Sequence, residues 1–169
     1  IFEDCKVPAE NLLSGEGVGF KIAMAGLDGG RLNIAACSLG GAQAATDKAL
    51  AYAHERHAFG RPIDQFQGLQ FKLADMETNL QASRMLLYSA ASRLDRKAPD
   101  ATKWSAMAKR FVTDACFDVA NDALQIHGGY GYLHDYGVEK LVRDLRVHQI
   151  LEGTNEIMRV IIARDLIGI

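Results

Sequence analysis

Leu73, Leu80, Leu87 and Leu94 recur every seven residues, with Leu69, Met76, Ser83 and Ala90 interleaved, and together they draw one apolar seam along a helix. Such a seam must be covered, either by other helices of the same chain or by a second copy of itself. The polar interruption at Ser83, the modest length of the seam and the apolar faces of its neighbours favour a core within one chain over a coiled-coil dimer. The neighbours are helical too. From Phe20 the chain is rich in alanine and leucine and meets no proline before Pro62, which predicts a long helix to about His57. Pro99 and Asp100 end the seam and open a third helix, in which Trp104, Ala108, Phe111, Ala115, Val119 and Ile126 keep helical spacing until His127-Gly128-Gly129-Tyr130-Gly131 stops it. Shorter helices are expected over Val138 to His148 and from about Asn155 to Leu166. The fold class is therefore all-α, an antiparallel helical bundle over residues 19–169.

Residues 1–18 differ from the rest. Ile1-Phe2-Glu3-Asp4-Cys5-Lys6-Val7-Pro8 reads as a short strand, and Gly15, Gly17 and Gly19 mark a linker. A strand needs partners for its backbone groups, and the remaining sequence offers almost none, so this orphan strand points to a sheet outside the chain. The start at Ile1, without methionine or a signal-peptide pattern, fits a piece of something longer.

At 169 residues the chain suits one domain with a sizeable core. Its 19 basic and 21 acidic side chains nearly balance, and no basic tract exceeds a dipeptide. Nucleic acid and membrane surfaces are therefore not the expected partners, and no apolar run approaches transmembrane length. Cys5, Cys37 and Cys116 lie far apart in apolar surroundings, without metal-ligand spacing. They suggest buried thiols in a reducing compartment rather than disulfides or a metal centre.

Several short motifs carry chemistry. Glu152 follows an apolar run and precedes Gly153, Thr154 and Asn155, residues that favour a chain reversal and a helix start with outward-facing N–H groups. A carboxylate so placed is either a cap for its own helix or a base, and these residues alone favour the cap. Arg56, Phe59 and Gly60 put a permanent cation, an aromatic ring and a tight turn side by side, a combination able to hold a phosphate and pack a flat ring. His54 and His57 nearby lack a third metal ligand and read as a polar helix end. Gln125 to Gly131 carries more glycines than a helix cap requires, so capping and close backbone approach to a ligand weigh equally. Asp28 and Arg31 form an expected intrahelical ion pair, although Gly29 and Gly30 between them weaken the helix as if something packed closely there. Gly15-Glu16-Gly17-Val18-Gly19 has no βαβ context and reads as a connector, not a dinucleotide turn.

Taken in order, these segments resemble the C-terminal domain of the acyl-CoA dehydrogenase family. The match rests on Phe2 to Pro8 with Asn11, the Asp28–Arg31 step, Glu55-Arg56 with Phe59-Gly60, Phe66-Gln67, Gln125 to Gly131, and Leu151-Glu152-Gly153-Thr154, and it spans the whole chain. Gly26 to Arg31, His127 to Tyr132 and Val147 to Gly153 look most like the isobutyryl-CoA dehydrogenase subgroup. The resemblance implies an intact protein with an N-terminal helical domain and a middle β-domain whose last strand and linker are residues 1–18. It also implies FAD as cofactor, with an acyl-CoA lying between the middle and C-terminal domains. In the family a carboxylate removes the pro-R α-proton, and the β-hydrogen leaves as hydride to flavin N5. By position Glu152 resembles that carboxylate. Such a base must be desolvated and the enolate stabilised, and the resemblance implies that the backbone N–H of Glu152 and a flavin ribityl hydroxyl do the latter.

The same resemblance assigns Asp28, Arg31, Gly153 and Arg164 to the substrate. Arg56, Phe59, Phe66, Gln67, Gln125, Ile126, His127, Gly128, Gly129, Thr154 and Glu156 go to the flavin nucleotide. Phe66 departs from the histidine that members often carry. One branch of the family takes its base from the place held here by Gly30, and glycine cannot serve, which supports Glu152. The Arg56 and Phe59–Gln67 contacts come from a neighbouring subunit in the family, so a homotetramer built as a dimer of dimers is implied, with the Leu73–Leu94 helix also facing a partner. An electron-transfer flavoprotein is the implied electron acceptor. The implied location is the bacterial cytoplasm or the mitochondrial matrix. Substrates of butyryl or 2-methylbutyryl type are the alternatives to isobutyryl, and a bundle used only for oligomerisation is the non-catalytic one.

Overall fold

A computed structural model describes residues 1–169. Five helices carry the architecture: α1 Gly19–Glu55, α2 Gln67–Asp95, α3 Ala101–His127, α4 Val138–His148 and α5 Asn155–Ile167. They match the elements expected from the sequence to within two residues. The reason lies in periodicity, since each long helix buries one stripe at three- and four-residue spacing. On α1 the stripe is small, with Ala35, Ala42, Ala45, Ala49 and Ala53 all fully buried. On α3, Ala108, Ala120 and Ala123 answer it around Val112, Cys116 and Val119. Side chains this small let α1 and α3 lie close together, and α3 is the central helix, packed by each of the other four.

The seam on α2 faces this core. Met76, Leu80, Ser83, Leu87 and Ala90 are buried, and Leu69, Leu73 and Leu94 pack half-buried against the cluster. The apolar side chains that α2 leaves exposed, Phe71, Met85 and Tyr88, lie off the seam.

Two connections have a clear local cause. Between α1 and α2 the chain makes a miniature antiparallel ladder, β1 His57–Ala58 against β2 Arg61–Pro62. Phe59 and Gly60, both left-handed at φ 52° and 82°, form its two-residue turn. Between α2 and α3, Arg93 donates to both carboxylate oxygens of Asp100 at 3.1 and 2.8 Å while stacking 4.1 Å over the Trp104 ring. The indole N–H of Trp104 donates to Asp100 as well, at 2.9 Å.

Two expectations need correction. Ile1–Pro8 does not form a strand; Ile1, Phe2 and Val7 are exposed, and the only element before α1 is a 3-10 turn at Ala9–Asn11. An extended segment becomes a strand only when another backbone takes up its N–H and C=O groups, and no segment of this chain does so. Nor are all three thiols buried: Cys5 and Cys37 are exposed, and Cys116 alone lies in the core, where burial pushes its thiol up to about 12. No helix is long and apolar enough to cross a membrane.

Candidate functional site

The loop between α4 and α5 carries Glu152. It starts from Gln149, runs through the consecutive left-handed residues Glu152 (φ 57°) and Gly153 (φ 86°), and ends at Thr154, the N-cap of α5. A left-handed non-glycine residue is strained by roughly 1 kcal/mol, so the surroundings must hold it. A Cβ at Gly153 would stand 2.9 Å from the buried Met158 methyl, which ties that position to glycine twice over. Thr154 Oγ1 accepts the Ile157 N–H at 3.4 Å. The Glu156 carboxyl is held low by backbone N–H and Thr154 hydrogen bonds. Glu152 is not the cap of this helix.

Instead its side chain crosses to α1. A Cβ built on Gly30 would lie 2.3 Å from Glu152 Oε2 and 2.7 Å from its Cδ, so the carboxylate occupies the space that any other residue at position 30 would need. At the next position, Arg31 is buried and donates to Asp28 Oδ1 at 2.6 Å, while Thr102 of α3 donates to Asp28 Oδ2, also at 2.6 Å. The Arg31 Nε proton has no partner and is buried. Asp28, Gly30, Arg31 and Glu152 thus gather at one place from two distant parts of the chain.

Beneath this loop lies a side chain the sequence reading passed over. Lys109 is fully buried on α3, and its ammonium donates to Gln149 O at 3.1 Å, Gly153 O at 2.9 Å and Asn155 Oδ1 at 2.7 Å. Asn155 in turn donates to Thr113 Oγ1 at 2.9 Å and Asp114 Oδ1 at 2.7 Å, and Gln149 donates to the same Asp114 oxygen at 2.9 Å. The signal was present in the spacing: Ser105, Lys109, Val112 and Cys116 fall on one stripe of α3, which places a lysine on a buried face.

Desolvation lowers the Lys109 pKa from 10.5 to about 8, against the opposing pull of Asp114 and Glu156. Between these two values the folded chain binds fewer protons than the unfolded one, so stability rises with pH across that window. The expected result is that the unfolding free energy of the wild-type chain, relative to Lys109→Met, gains up to about 3 kcal/mol between pH 8 and pH 10.5. Urea titrations at the two pH values read it. A difference that stays flat would mean that the lysine keeps its ordinary affinity for protons.

A second polar contact ties α4 down. Ser38 Oγ, buried on α1, lies 2.8 Å from His148 Nδ1, and burial pushes the imidazole pKa down.

The residues compared above with a nucleotide-binding set fall elsewhere. Tyr52, Arg56, Ile126, His127, Gly128, Gly129 and Tyr130 line an open cavity of about 450 Å³ at the ends of α1 and α3. Within it the His127 and Tyr52 rings stack at 4.5 Å, and the Arg56 guanidinium sits 5.6 Å from the Tyr130 ring centre. Phe59, Phe66, Gln125 and Ile126 line an adjoining, mostly apolar recess of about 330 Å³, which shares Ile63 and Ile126 with the first. Gly128 has φ 58°, and no atom stands within 4 Å of a Cβ at Gly128 or Gly129, so a ligand can reach the main chain there. A permanent cation, flat rings and open backbone fit a dinucleotide such as FAD.

Not every expected contact joins this set. Gln67 is exposed at the start of α2. Thr154 and Glu156 line a separate polar recess with Asp114 and Arg159. Arg164 is exposed on α5, where its backbone carbonyl accepts from Gly168 and Ile169.

Comparisons with known proteins agree over the whole chain. The family described as acyl-CoA dehydrogenase, C-terminal domain, matches residues 17–167. The mitochondrial isobutyryl-CoA dehydrogenase of Dictyostelium discoideum is 55% identical over 166 residues, 98% of this chain and 40% of that protein. Butyryl-CoA dehydrogenase from Megasphaera elsdenii superposes with a TM-score of 0.94 at 46% identity, over 99% of this chain and 43% of that one. A chain from a structure described as the electron transferring flavoprotein of Acidaminococcus fermentans superposes with a TM-score of 0.94 at 51% identity, over 98% of this chain and 43% of that one. The chain therefore spans less than half the length of the relatives it matches.

Proposed function

The chain belongs to the acyl-CoA dehydrogenase family as its C-terminal helical domain, and from that premise we propose that the whole protein oxidises a short branched acyl-CoA of isobutyryl type to its 2-enoyl-CoA. The observation that carries the proposal is the Glu152 carboxylate lying over Gly30, on a loop whose backbone is held left-handed. A thioester α-proton is far less acidic than a carboxylic acid. Its removal therefore needs a base fixed within reach and a donor for the developing oxyanion. Glu152 supplies the base and its own backbone N–H the donor. Asp28 and Arg31, with Gly153 and Arg164, bound the substrate side, and the buried Arg31 cation favours negative charge nearby.

The cofactor is FAD. Arg56, Phe59, Phe66, Gln67 and the Gln125–Gly129 segment would hold one part of it, and Thr154 and Glu156 would touch another. When bound, it supplies the acceptor for the β-hydride. Apart from Gln67, which lines none of them, these two groups line separate recesses of the chain, which supports a site completed by a second copy in a homotetramer built as a dimer of dimers. Phe59, 96% exposed beside Phe66, is the side chain such a copy would cover. Residues 1–18 are the end of a preceding β-domain, whose sheet would give Ile1–Pro8 the partners it lacks here. The reduced protein passes its electrons to an electron-transfer flavoprotein, in the mitochondrial matrix of a eukaryote or the cytoplasm of a bacterium.

The test is the full-length protein assayed on isobutyryl-, butyryl- and 2-methylbutyryl-CoA with an artificial electron acceptor, its flavin read by absorbance. The highest kcat/KM is expected with isobutyryl-CoA. Bound flavin without an enoyl product from any of the three would overturn the reading, and a preference for butyryl- or 2-methylbutyryl-CoA would replace the substrate.

A further inference from the structure

We propose that Lys109 is a positioning residue for Glu152: its ammonium clamps the main-chain carbonyls on either side of the base and so fixes the carboxylate against α1. This rests on Glu152 being the base.

Two of the three acceptors on Lys109 are the carbonyls of Gln149 and Gly153, which bracket Glu152, and the third is the Asn155 side chain at the first residue of α5. The clamp therefore closes the loop at both ends, and Asn155 N–H donating to Gln149 O at 3.0 Å closes it a second time. Inside that ring, Glu152 holds a left-handed conformation that a non-glycine residue leaves readily when its neighbours are free to move. A rotation of the backbone at position 152 swings the carboxylate away from Gly30. An apolar side chain of the same length would fill the slot on α3 without the cost of burying a charge. What the ammonium adds is direction, because it turns three oxygens toward one point and leaves no proton unused.

The experiment uses the full-length, flavin-loaded protein and compares wild type, Glu152→Gln, Lys109→Met and Asn155→Ala. For Lys109→Met, flavin content and KM are expected to hold, while kcat falls by about 10- to 100-fold, as a displaced catalytic group requires. Incorporation of solvent deuterium at the acyl Cα, which reports proton transfer by Glu152 directly, is expected to slow in parallel. Asn155→Ala removes one acceptor and is expected to give a smaller loss of the same kind.

Unchanged kcat and unchanged deuterium incorporation in flavin-loaded Lys109→Met would overturn the proposal. If that variant does not hold flavin, Asn155→Ala decides alone, and loss of flavin from both assigns Lys109 to the fold and rejects the positioning role. An inactive wild type, or a Glu152→Gln variant as active as wild type, defeats the reading of the site itself. A dead Glu152→Gln beside a fully active Lys109→Met defeats only this inference.

Discussion

Glu152→Gln in the full-length protein is expected to lower turnover by about 1000-fold, in the range that removal of a positioned general base produces. Glutamine keeps the length and the shape of the side chain, so the contact with Gly30 and the left-handed backbone both survive. What disappears is the ability to accept a proton. Because the substrate is bound by other groups, KM should move little and the loss should fall on kcat. Rapid-mixing measurement of flavin bleaching by acyl-CoA reads the step directly. Full-rate bleaching in the variant would remove Glu152 from the chemistry and leave it as a strained loop residue.

Gly30→Ala is expected to separate stability from activity. The added methyl would stand 2.3 Å from Glu152 Oε2, a distance at which something must move, and the flexible end of the glutamate moves most cheaply. Position 30 lies inside α1, where alanine is favoured over glycine by up to about 1 kcal/mol. The urea midpoint should therefore hold or rise. The carboxylate, however, is pushed off its place, and a displacement of this size costs about 100-fold in turnover. A variant that stays fully active would show that the carboxylate works from a different position. A variant that unfolds would mean that helix α1, rather than the glutamate, takes the strain.

The helices were legible because their signal is local and repeated. Leu80 and Leu87 on α2, and Val112, Cys116 and Val119 on α3, each advertise a buried stripe several times over. Ile1–Pro8 was read as a strand whose sheet lies outside the chain, and within the chain it stays unpaired. A strand is defined by its partner, so this segment takes no regular structure by itself. The ladder at His57–Pro62 escaped notice because it is only two residues long on each side and lies in what reads as a turn. In the site, Glu152 and Gly30 were each visible, Glu152 by its place before a helix and Gly30 as a weak point in one. Their contact was not, because one lies in the first helix and the other just before the last, with most of the bundle between them along the chain. Lys109 was overlooked since a lysine on an apolar stripe is ordinarily read as solvated, and only packing shows that no solvent reaches it.

The sequence by itself determined the bundle, the order of its helices and the residue types at the chemical corner. Those follow from periodicity, from the prolines and glycines that punctuate it, and from motif resemblance. Only the tertiary structure decided that the Glu152 carboxylate rests on Gly30, that Arg31 is buried with an unpaired proton, and that one ammonium holds the loop from below. These are contacts between segments far apart in the chain, and their energies depend on distance and on exclusion of water, quantities that a string of residues does not contain.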